Sequence, residues 1–466
     1  MNRHPLSRRS FVKGGLAAGA AFATQSIPRA CGEDTRQVKT RPNVLLLFSD
    51  QQHWQALGCM DSFFDTPHLD ALARESMLFE NSFCTTPQCS PSRSSLLTGL
   101  YPSKTGVMGN TGAAGGAALD QQTLAAELKA RGYYTGYFGK WHLGNRAVAT
   151  GGWDQSHLKI NDPSAESRAT AFLKEAAQSA DPFALFVSYN NPHDIYHFEK
   201  HDIGPNKKPI PLPVSWEQED LRSKPAIHKQ FMLEDQGKVI WGKDREVWET
   251  YRDCYRTKTK LYDSHVGAIL NELKRQGLWD NTIVIVTSDH GDMDAQHKLI
   301  YKGPFMYEHM VRIPLMIRVP PKYGGVRSRR VTDMDVVNVD LAPTLREFCG
   351  LGEVQCDGIS LAPVLTGSTG QTTREFVIGQ YYSKQRWVNP IRMIRTPEFK
   401  FNRYIRYGEE LYDLKNDPHE LKNLATDSKY AAIKTDMSQA LNRWIKENQD
   451  PFYSFTATTR AGKPIG

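Results

Sequence analysis

Short strand-like runs alternate with longer amphipathic stretches along the first part of the chain. Four segments have the composition and length of strands, at 44–48, 133–138, 183–188 and 282–287. Apolar residues recur at helical spacing in the segments around them, at 66–75, 124–131, 165–178 and 246–276. The run at 44–48 is apolar throughout, which is typical of a strand buried on both faces. This alternation predicts a mostly parallel α/β sheet with helices on both faces.

The C-terminal part of the chain has a different pattern. Short strands are predicted at 376–378, 391–395, 400–404 and 410–414, followed by a helix at 430–448. Strands this close together in sequence predict a meander. A chain of 466 residues also exceeds the usual size of a single core. We therefore predict a catalytic domain at 36–369 and a smaller antiparallel α+β domain at 370–466, after an N-terminal segment at 1–35.

Composition excludes several classes of protein. The chain has no run of 18 apolar residues, so we predict that it does not span a membrane. Its net charge of +7 falls to +3 once the four basic residues before position 24 are left out, which is too little to indicate nucleic-acid binding. Its seven cysteines include no C-x-x-C pair, which argues against a thiolate zinc site. Cys349 and Cys356 are the pair for which we predict a disulfide.

Polar side chains with metal-binding or catalytic chemistry follow the four strands predicted in the first part of the chain. These clusters are Asp50-Gln51, Lys140-Trp141-His142, Asn191-Pro192-His193 and Asp289-His290. Ligands of open α/β sheets bind outside the carboxyl ends of the strands. One such cluster would be explained as an ordinary loop or helix cap, whereas four predict a functional site. The ligands offered are mostly oxygen atoms, which suit a hard cation such as calcium or magnesium.

A cysteine stands at the start of a further predicted helix. In Cys89-Ser90-Pro91-Ser92-Arg93-Ser94-Ser95-Leu96-Leu97-Thr98-Gly99, Pro91 suits the first helical turn and Gly99 is a stop signal. Unpaired N–H groups favour an anion at Cys89, and Arg93 lies one turn further along the same face. A lone cysteine of this kind is more often a small core residue. The whole string resembles the signature of the sulfatase family, whose cysteine is oxidised to formylglycine.

The resemblance implies a fold, a nucleophile and a metal site. Sulfatases have an alkaline-phosphatase-like fold, and similar landmarks run from about 41 to 425 in this chain. In that family the hydrated aldehyde of formylglycine is the nucleophile. One cation, Ca²⁺ with Mg²⁺ as the alternative, holds a formylglycine oxygen and a sulfate oxygen. The implied ligands are Asp50, Gln51, Cys89, Asp289 and His290. Many sulfatases have a second aspartate where Gln51 stands, so this site would carry less negative charge.

The family pattern also implies roles for side chains around the nucleophile. Arg93 and Lys140 would steady the formylglycine hydroxyls, and Lys140 with Lys302 would neutralise sulfate oxygens. His142 would take a proton from the diol of the sulfated intermediate, and elimination would then expel sulfate. His193, matched through a shorter motif, would hydrogen-bond or protonate the leaving oxygen, which suits a group that titrates near neutral pH. Alone, each lysine would be explained as a solvated surface charge.

The N-terminal segment has the features of an export signal. Ser7-Arg8-Arg9-Ser10-Phe11-Val12-Lys13 resembles a twin-arginine motif, an Ala/Gly-rich stretch follows at 14–23, and a small-x-small cleavage site lies at 21–23. The resemblance implies the twin-arginine translocase as a partner and a periplasmic or extracellular location. This translocase moves folded proteins, so a formylglycine-generating or sulfatase-maturating enzyme would act on Cys89 before export. Cys31 is the residue that a lipid anchor would use, although the residues before it fit a lipobox poorly.

From these observations we predict an exported, metal-dependent sulfatase for a sulfated carbohydrate or another small organic sulfate. The segments at 194–208 and 381–387 contain aromatic and basic residues that suit the mouth of a sugar pocket, although each is equally typical of an ordinary surface loop. Two alternatives stay open. One is a phosphonate or phosphate ester hydrolase that uses the same nucleophile. The other is a sulfated-glycan-binding protein whose Cys89 is never matured.

Overall fold

The computed structural model describes residues 41–144, 151–202, 209–368 and 374–465. The export signal and Cys31 lie outside the described residues, so the export route and the lipid anchor stay predictions. The domain boundary expected at 369/370 also lies outside them. Within the described part, none of the helices combines the length and the apolar character that crossing a membrane requires.

A fully buried strand, β1 (Asn43–Asp50), lies near the centre of an eight-stranded sheet. The other strands of this part of the chain are β2 (Met77–Phe79), β3 (Ser82–Phe83), β4 (Tyr134–Gly139), β5 (Gln155–His157), β6 (Phe183–Pro192), β7 (Thr282–Ser288), β8 (Leu315–Arg318), β9 (Arg329–Val331) and β10 (Val336–Val337). The sheet order is β5-β4-β6-β1-β7-β8-β2-β9, while β3 pairs with β10 separately. Strands β5, β4, β6, β1 and β7 run parallel, and β8 is antiparallel to both of its neighbours. The predicted mostly parallel sheet is confirmed.

Helices cover both faces of this sheet. The helices described are α1 (Pro67–Ala73), α2 (Cys89–Thr98), α3 (Pro102–Thr105), α4 (Leu124–Ala130), α5 (Asp162–Ala176), α6 (Val214–Gln218), α7 (Ala226–Glu234), α8 (Arg245–Arg275), α9 (Glu308–Val311), α10 (Leu341–Cys349), α11 (Ala362–Leu365) and α12 (Ala431–Glu447). Successive side chains of a strand point to opposite faces. Leu45 and Leu47 accordingly share a core with α1, α5 and α8, whereas Val44 and Leu46 share another with α2, α4 and α10.

The C-terminal part forms a separate antiparallel sheet, as predicted. Its strands pair in chain order and are β11 (Val377–Lys384), β12 (Trp387–Arg395), β13 (Phe399–Tyr404) and β14 (Glu409–Asp413). Helix α12 buries Leu441 and Ile445 in a core that it shares with this sheet. Both sheets belong to one compact unit that begins at Arg41. The boundary between two domains therefore stays a prediction.

Strand β11 is longer than the segment predicted at 376–378. The prediction stopped early because the rest of the strand buries polar side chains, which an apolar pattern does not reveal. Gln380 donates to Ser103 and Asp450, and Ser383 donates to the carbonyl of Ala114. The bonds to Ser103 and Ala114 hold the hairpin of β11 and β12 against the catalytic part of the chain. The hairpin therefore reaches the region of the active site.

The predicted disulfide between Cys349 and Cys356 is wrong, because both residues are free thiols. Cys349 is buried at the end of α10, where it forms a hydrogen bond with Tyr133. Cys356 instead contacts the carbonyl oxygen of Gly358. The two side chains thus have different partners, and closeness in sequence did not bring the sulfur atoms together.

Candidate active site

The carboxyl ends of four parallel strands meet at one edge of the central sheet. Strand β1 ends at Asp50, β4 ends directly before Lys140, β6 directly before His193, and β7 directly before Asp289. The first residue of α2, Cys89, comes to the same edge, where its Sγ lies 3.5 Å from Asp50 Oδ1. The structure therefore brings together side chains that are far apart in the sequence.

Helix α2 presents Cys89 from its first turn. Pro91 occupies the same turn, where its missing N–H leaves no helical hydrogen bond unmade, and Gly99 ends the helix with a φ of 79°. The Cys89 Sγ lies 3.0 Å from Lys302 Nζ and 3.2 Å from His290 Nε2. A side chain at position 89 therefore faces a cation and a potential metal ligand at the same time.

Cys89 differs in its electrostatics from another buried cysteine close by. Burial opposes ionisation of the Cys89 thiol, but Lys140 and Lys302 outweigh burial and hold its pKa well below the usual value. Cys84 is equally buried but is not faced by such cations, so burial raises its pKa. Position 89 therefore favours a negatively charged atom, and the position of Cys84 does not.

One buried guanidinium, that of Arg93, links residues of β1 and β6 with residues that directly follow β4 and β7. It donates from Nε to Asp289 Oδ2 at 2.8 Å and from Nη2 to Asp50 Oδ2 at 3.0 Å. Its Nη1 donates to the backbone oxygen of Lys140 at 2.7 Å and to Ser188 Oγ at 2.6 Å. Only the planar fork of arginine presents donors in this arrangement, because the ammonium of lysine is a compact point charge. Arg93 therefore fixes the carboxylates beneath the nucleophile position.

Four side chains form a cluster whose geometry fits a divalent cation. Asp50, Cys89, Asp289 and His290 each offer one ligand atom, and these atoms all lie within 4.8 Å of one another. Burial, followed by the neighbouring Asp50 carboxylate, raises the pKa of Asp289. A divalent cation between the two carboxylates would remove this repulsion, and carboxylate oxygens suit Ca²⁺ or Mg²⁺. The residues present therefore fit such an ion.

The orientation of His290 also fits a metal ligand. Its Nδ1 lies 2.9 Å from the carbonyl oxygen of Gly291. Because a carbonyl only accepts hydrogen bonds, Nδ1 carries a proton, which leaves Nε2 as the nitrogen that can bind a metal ion. The Nε2 atom faces Cys89 and lies 3.1 Å from Lys302 Nζ. Burial and Lys302 disfavour the charged imidazolium, but Asp289 and Cys89 outweigh them and raise the pKa of His290. The neutral imidazole, held by this backbone carbonyl, is the form that would bind a metal ion.

Gln51 is held by a residue that the sequence analysis missed. Its Nε2 donates to Asp292 Oδ2 at 2.7 Å, and its Oε1 accepts from Lys302 Nζ at 2.8 Å. A carboxylate only accepts hydrogen bonds, so Asp292 turns the amide oxygen of Gln51 toward Lys302. Metal ligation by Gln51 stays a prediction. Nothing in the sequence distinguished Asp292 from other polar residues after β7.

Two histidines contact Cys89, and one of them differs from expectation. His142 has a φ of 57° in the turn after β4, and its side chain hydrogen-bonds to Cys89. His193 also hydrogen-bonds to Cys89. The expectation that His193 titrates near neutral pH is wrong, because burial, followed by the charge of Lys302, lowers its pKa to about 4. His193 is therefore neutral at pH 7, and its ring still offers one N–H for a hydrogen bond at position 89.

A cavity of about 300 Å³ opens at Cys89. Its wall contains the other predicted catalytic side chains except Arg93, namely Lys140, His142, His193 and Lys302. Both segments predicted at the pocket mouth contribute, with Tyr196 from one and Lys384 from the other. Tyr196 stacks on Tyr301 with ring centroids 4.0 Å apart. Ile160, whose side chain is exposed, also lines the cavity and had no signal in the sequence.

Comparison with known proteins decides the family. A sequence profile of the Sulfatase family matches residues 42–351, which is more than half of the chain. A second profile, described as N-sulphoglucosamine sulphohydrolase, C-terminal, matches residues 296–447. The chain belongs to the sulfatase family. It is therefore a sulfuric ester hydrolase, as the signature at Cys89 predicted.

This sulfatase resembles known proteins over most of its length. It is 28% identical to Delta 4,5-hexuronate-2-O-sulfatase of Bacteroides thetaiotaomicron, over 91% of this chain and 92% of the relative. The solved structure of a 2-O GAG sulfatase has a TM-score of 0.79 at 26% identity and covers 90% of this chain and 95% of that chain. Phosphonate monoester hydrolase of Agrobacterium radiobacter has a TM-score of 0.72 at 24% identity, over 91% and 99% of the two chains, which shows a shared fold alone. The predicted fold class is confirmed.

Replacing Asp289 with asparagine should weaken calcium binding. The change keeps an oxygen atom but removes one of the two carboxylate charges in the cluster, so we expect the Kd for Ca²⁺ to rise at least about 10-fold. Isothermal titration of the EDTA-treated protein measures this Kd. The Tm with and without Ca²⁺ gives a second readout, because a ligand that binds only the folded state raises Tm.

The matched control is Asp280→Asn, which removes the same charge from a side chain that is 90% exposed. It should bind Ca²⁺ as tightly as the unaltered protein. An equal Kd for Asp289→Asn and the control would show that the cation binds elsewhere.

Proposed function

We propose that this sulfatase removes sulfate from carbohydrate sulfate esters by means of a formylglycine made from Cys89 and one bound divalent cation, Ca²⁺ or Mg²⁺. The charged groups around Cys89 are the main support for this proposal. Its Sγ lies 3.0 Å from Lys302 Nζ and 3.8 Å from Lys140 Nζ, beside the two carboxylates that Arg93 holds. A cysteine that only packs in a core needs none of these charges around it.

A hydrated formylglycine at position 89 would supply the hydroxyl that attacks the sulfur atom of the ester. Lys140 and Lys302 neutralise the sulfate oxygens as negative charge shifts during this attack. His142 lies within hydrogen-bonding distance of position 89 and accepts a proton from a hydroxyl there. Arg93 donates hydrogen bonds to the two carboxylates, to a backbone oxygen and to the hydroxyl of Ser188, so it positions the site through Asp50 and Asp289.

The metal ligands in this proposal are Asp50, Asp289, His290 and the side chain at position 89, with the amide oxygen of Gln51 completing the set. The cation would polarise a sulfate oxygen as a Lewis acid. Asp292 keeps the amide of Gln51 in the required orientation. His193, neutral in the free protein, donates a hydrogen bond to the leaving oxygen.

A sugar is the substrate class that the pocket and the relatives favour. The name of a sequence relative describes a hexuronate-2-O-sulfatase, and that of a similar solved structure describes a 2-O GAG sulfatase. The cavity of about 300 Å³ is small for a ligand site, since such sites span about 300–1,000 Å³. Tyr196 offers an aromatic ring in its wall, and the lysines and histidines offer donors to an anion. One sulfated sugar ring matches this combination.

Turnover on a panel of esters tests the proposal. The panel contains 4-nitrophenyl sulfate, sugars sulfated at the 2-, 4- or 6-hydroxyl, and a phenyl phosphonate monoester. We expect the protein to hydrolyse at least one sugar sulfate. Cys89→Ala should lower kcat/KM at least about 10³-fold with an unchanged Tm, because a methyl group provides no nucleophile and the change in volume is small.

The same panel separates the alternatives. His193→Ala should slow a sugar sulfate more than the aryl sulfate, because a sugar alkoxide leaves poorly without a hydrogen bond to its developing charge, and losing one such donor costs roughly 10²–10³-fold. Equal losses on both esters would leave His193 as a contact to the sulfate group. Faster turnover of the phosphonate than of every sulfate would support a phosphonate hydrolase. Binding of sulfated sugars without any turnover would support a glycan-binding protein.

We also propose that the protein leaves the cytoplasm by the twin-arginine route, after a formylglycine-generating or sulfatase-maturating enzyme has oxidised Cys89. The motif at 7–13 supports this route. Replacing Arg8 and Arg9 together with lysine should keep the protein in the cytoplasm, which cell fractionation measures. Arg3→Lys, outside the motif, is the matched control. Export of the double variant at the control's level would contradict the route.

A further inference from the structure

A second cavity adjoins the catalytic pocket and shares part of its wall. It has a volume of about 640 Å³, and we call it the distal groove, lined by Glu234, Asp235, Lys384, Gln385, Arg386 and Arg460. Lys384 and Gln385 also line the catalytic pocket. A ligand longer than one sugar therefore has room to continue from the pocket into the distal groove.

Two segments of the C-terminal part form the wall of the distal groove. The hairpin of β11 and β12 turns at Gln385, which has a φ of 55°. The turn at 458–464 packs against this hairpin, because Thr458 Oγ1 donates to the backbone oxygen of Arg386 at 2.9 Å and accepts from Val388 N at 2.9 Å. These hydrogen bonds hold Arg460 and Arg386 on neighbouring segments. The wall of the distal groove is therefore held in place by hydrogen bonds between these two segments.

The charged side chains of the distal groove differ in whether they have an ion-pair partner. Asp235 accepts from Arg460 Nε at 3.1 Å and lies 4.0 Å from Lys384 Nζ. Burial lowers the pKa of Lys384 to about 7, so its positive charge is only partial at neutral pH. Arg386 is exposed and forms no ion pair with the residues that the structure describes. Arg386 therefore offers a permanent positive charge to an incoming ligand.

We propose that the distal groove binds the sugar next to the sulfated one in an anionic oligosaccharide, with Arg386 and Arg460 pairing with a carboxylate or second sulfate on that sugar. The inference rests on the proposed function, because it extends the same substrate beyond the catalytic pocket. A single exposed arginine is usually a solvated surface charge. Here the arginine lines a concave space, stands on a segment that also forms the catalytic pocket, and has a second arginine on the adjoining turn.

The test compares two forms of one substrate. The first is a sulfated disaccharide whose second sugar is a uronate, and the second is the same disaccharide with the carboxyl group reduced to an alcohol. We expect kcat/KM to be roughly 10-fold or more higher for the carboxylate form, because the carboxylate gains a charge-assisted hydrogen bond. The difference should lie in KM. Arg386→Gln should bring this ratio close to one, and Arg460→Gln should lower it in the same direction. The control Arg327→Gln removes another exposed arginine, outside the distal groove, and should keep the ratio.

A second readout separates this inference from the proposed function. Isothermal titration of the Cys89→Ala protein with the two disaccharides measures binding without turnover, and Arg386→Gln in that background should remove the preference for the carboxylate form. Equal affinity for both forms, or a preference that survives Arg386→Gln, would overturn the role of the distal groove. If the protein turned over none of the esters but still bound the carboxylate form more tightly, the proposed hydrolysis would be overturned and the binding role of the distal groove would stand.

Discussion

The buried guanidinium of Arg93 is the interaction on which the rest of the site depends. Its side chain is 1% exposed, and a charge this deeply buried is tolerated only when it is paired and hydrogen-bonded. Asp50 is the last residue of β1, and Asp289 directly follows the neighbouring strand β7. The ion pairs with Arg93 therefore hold the two strand ends together and also neutralise the carboxylates. Removing the guanidinium would take an ion-pair partner from both buried carboxylates, and breaking a buried pair costs roughly 3–5 kcal/mol. Stability and the geometry of the site therefore rest on the same contacts.

Charge balance at this edge of the sheet explains why the site attracts an anion. Arg93 and Lys140 offset the two carboxylates, since Lys140 Nζ lies 2.6 Å from Asp50 Oδ2. Lys302, 3.0 Å from Cys89 Sγ, is then an excess positive charge beside the nucleophile position. A divalent cation would increase this excess. The field that lowers the pKa of Cys89 therefore also favours a sulfate group in the pocket.

The sequence predicted the framework of the site because strand ends are visible in the apolar pattern. Asp50 and Asp289 each follow an apolar run, and parallel strands bring their carboxyl ends to one edge. Contacts between distant segments were not predictable in this way. The lowered pKa of His193 depends on burial and on Lys302, and the orientation of Gln51 depends on Asp292. The distal groove likewise forms only where the C-terminal turn meets the hairpin at Arg386.

Mass spectrometry of the peptide that contains residue 89 tests the central claim most directly. The protein is produced with and without a formylglycine-generating enzyme, and turnover of one sulfate ester is measured on the same samples. The account predicts a peptide lighter than the encoded cysteine peptide, because thiol becomes aldehyde, and a kcat per total protein that rises in proportion to the converted fraction. Full turnover in a sample whose peptide keeps an intact Cys89 thiol would contradict it.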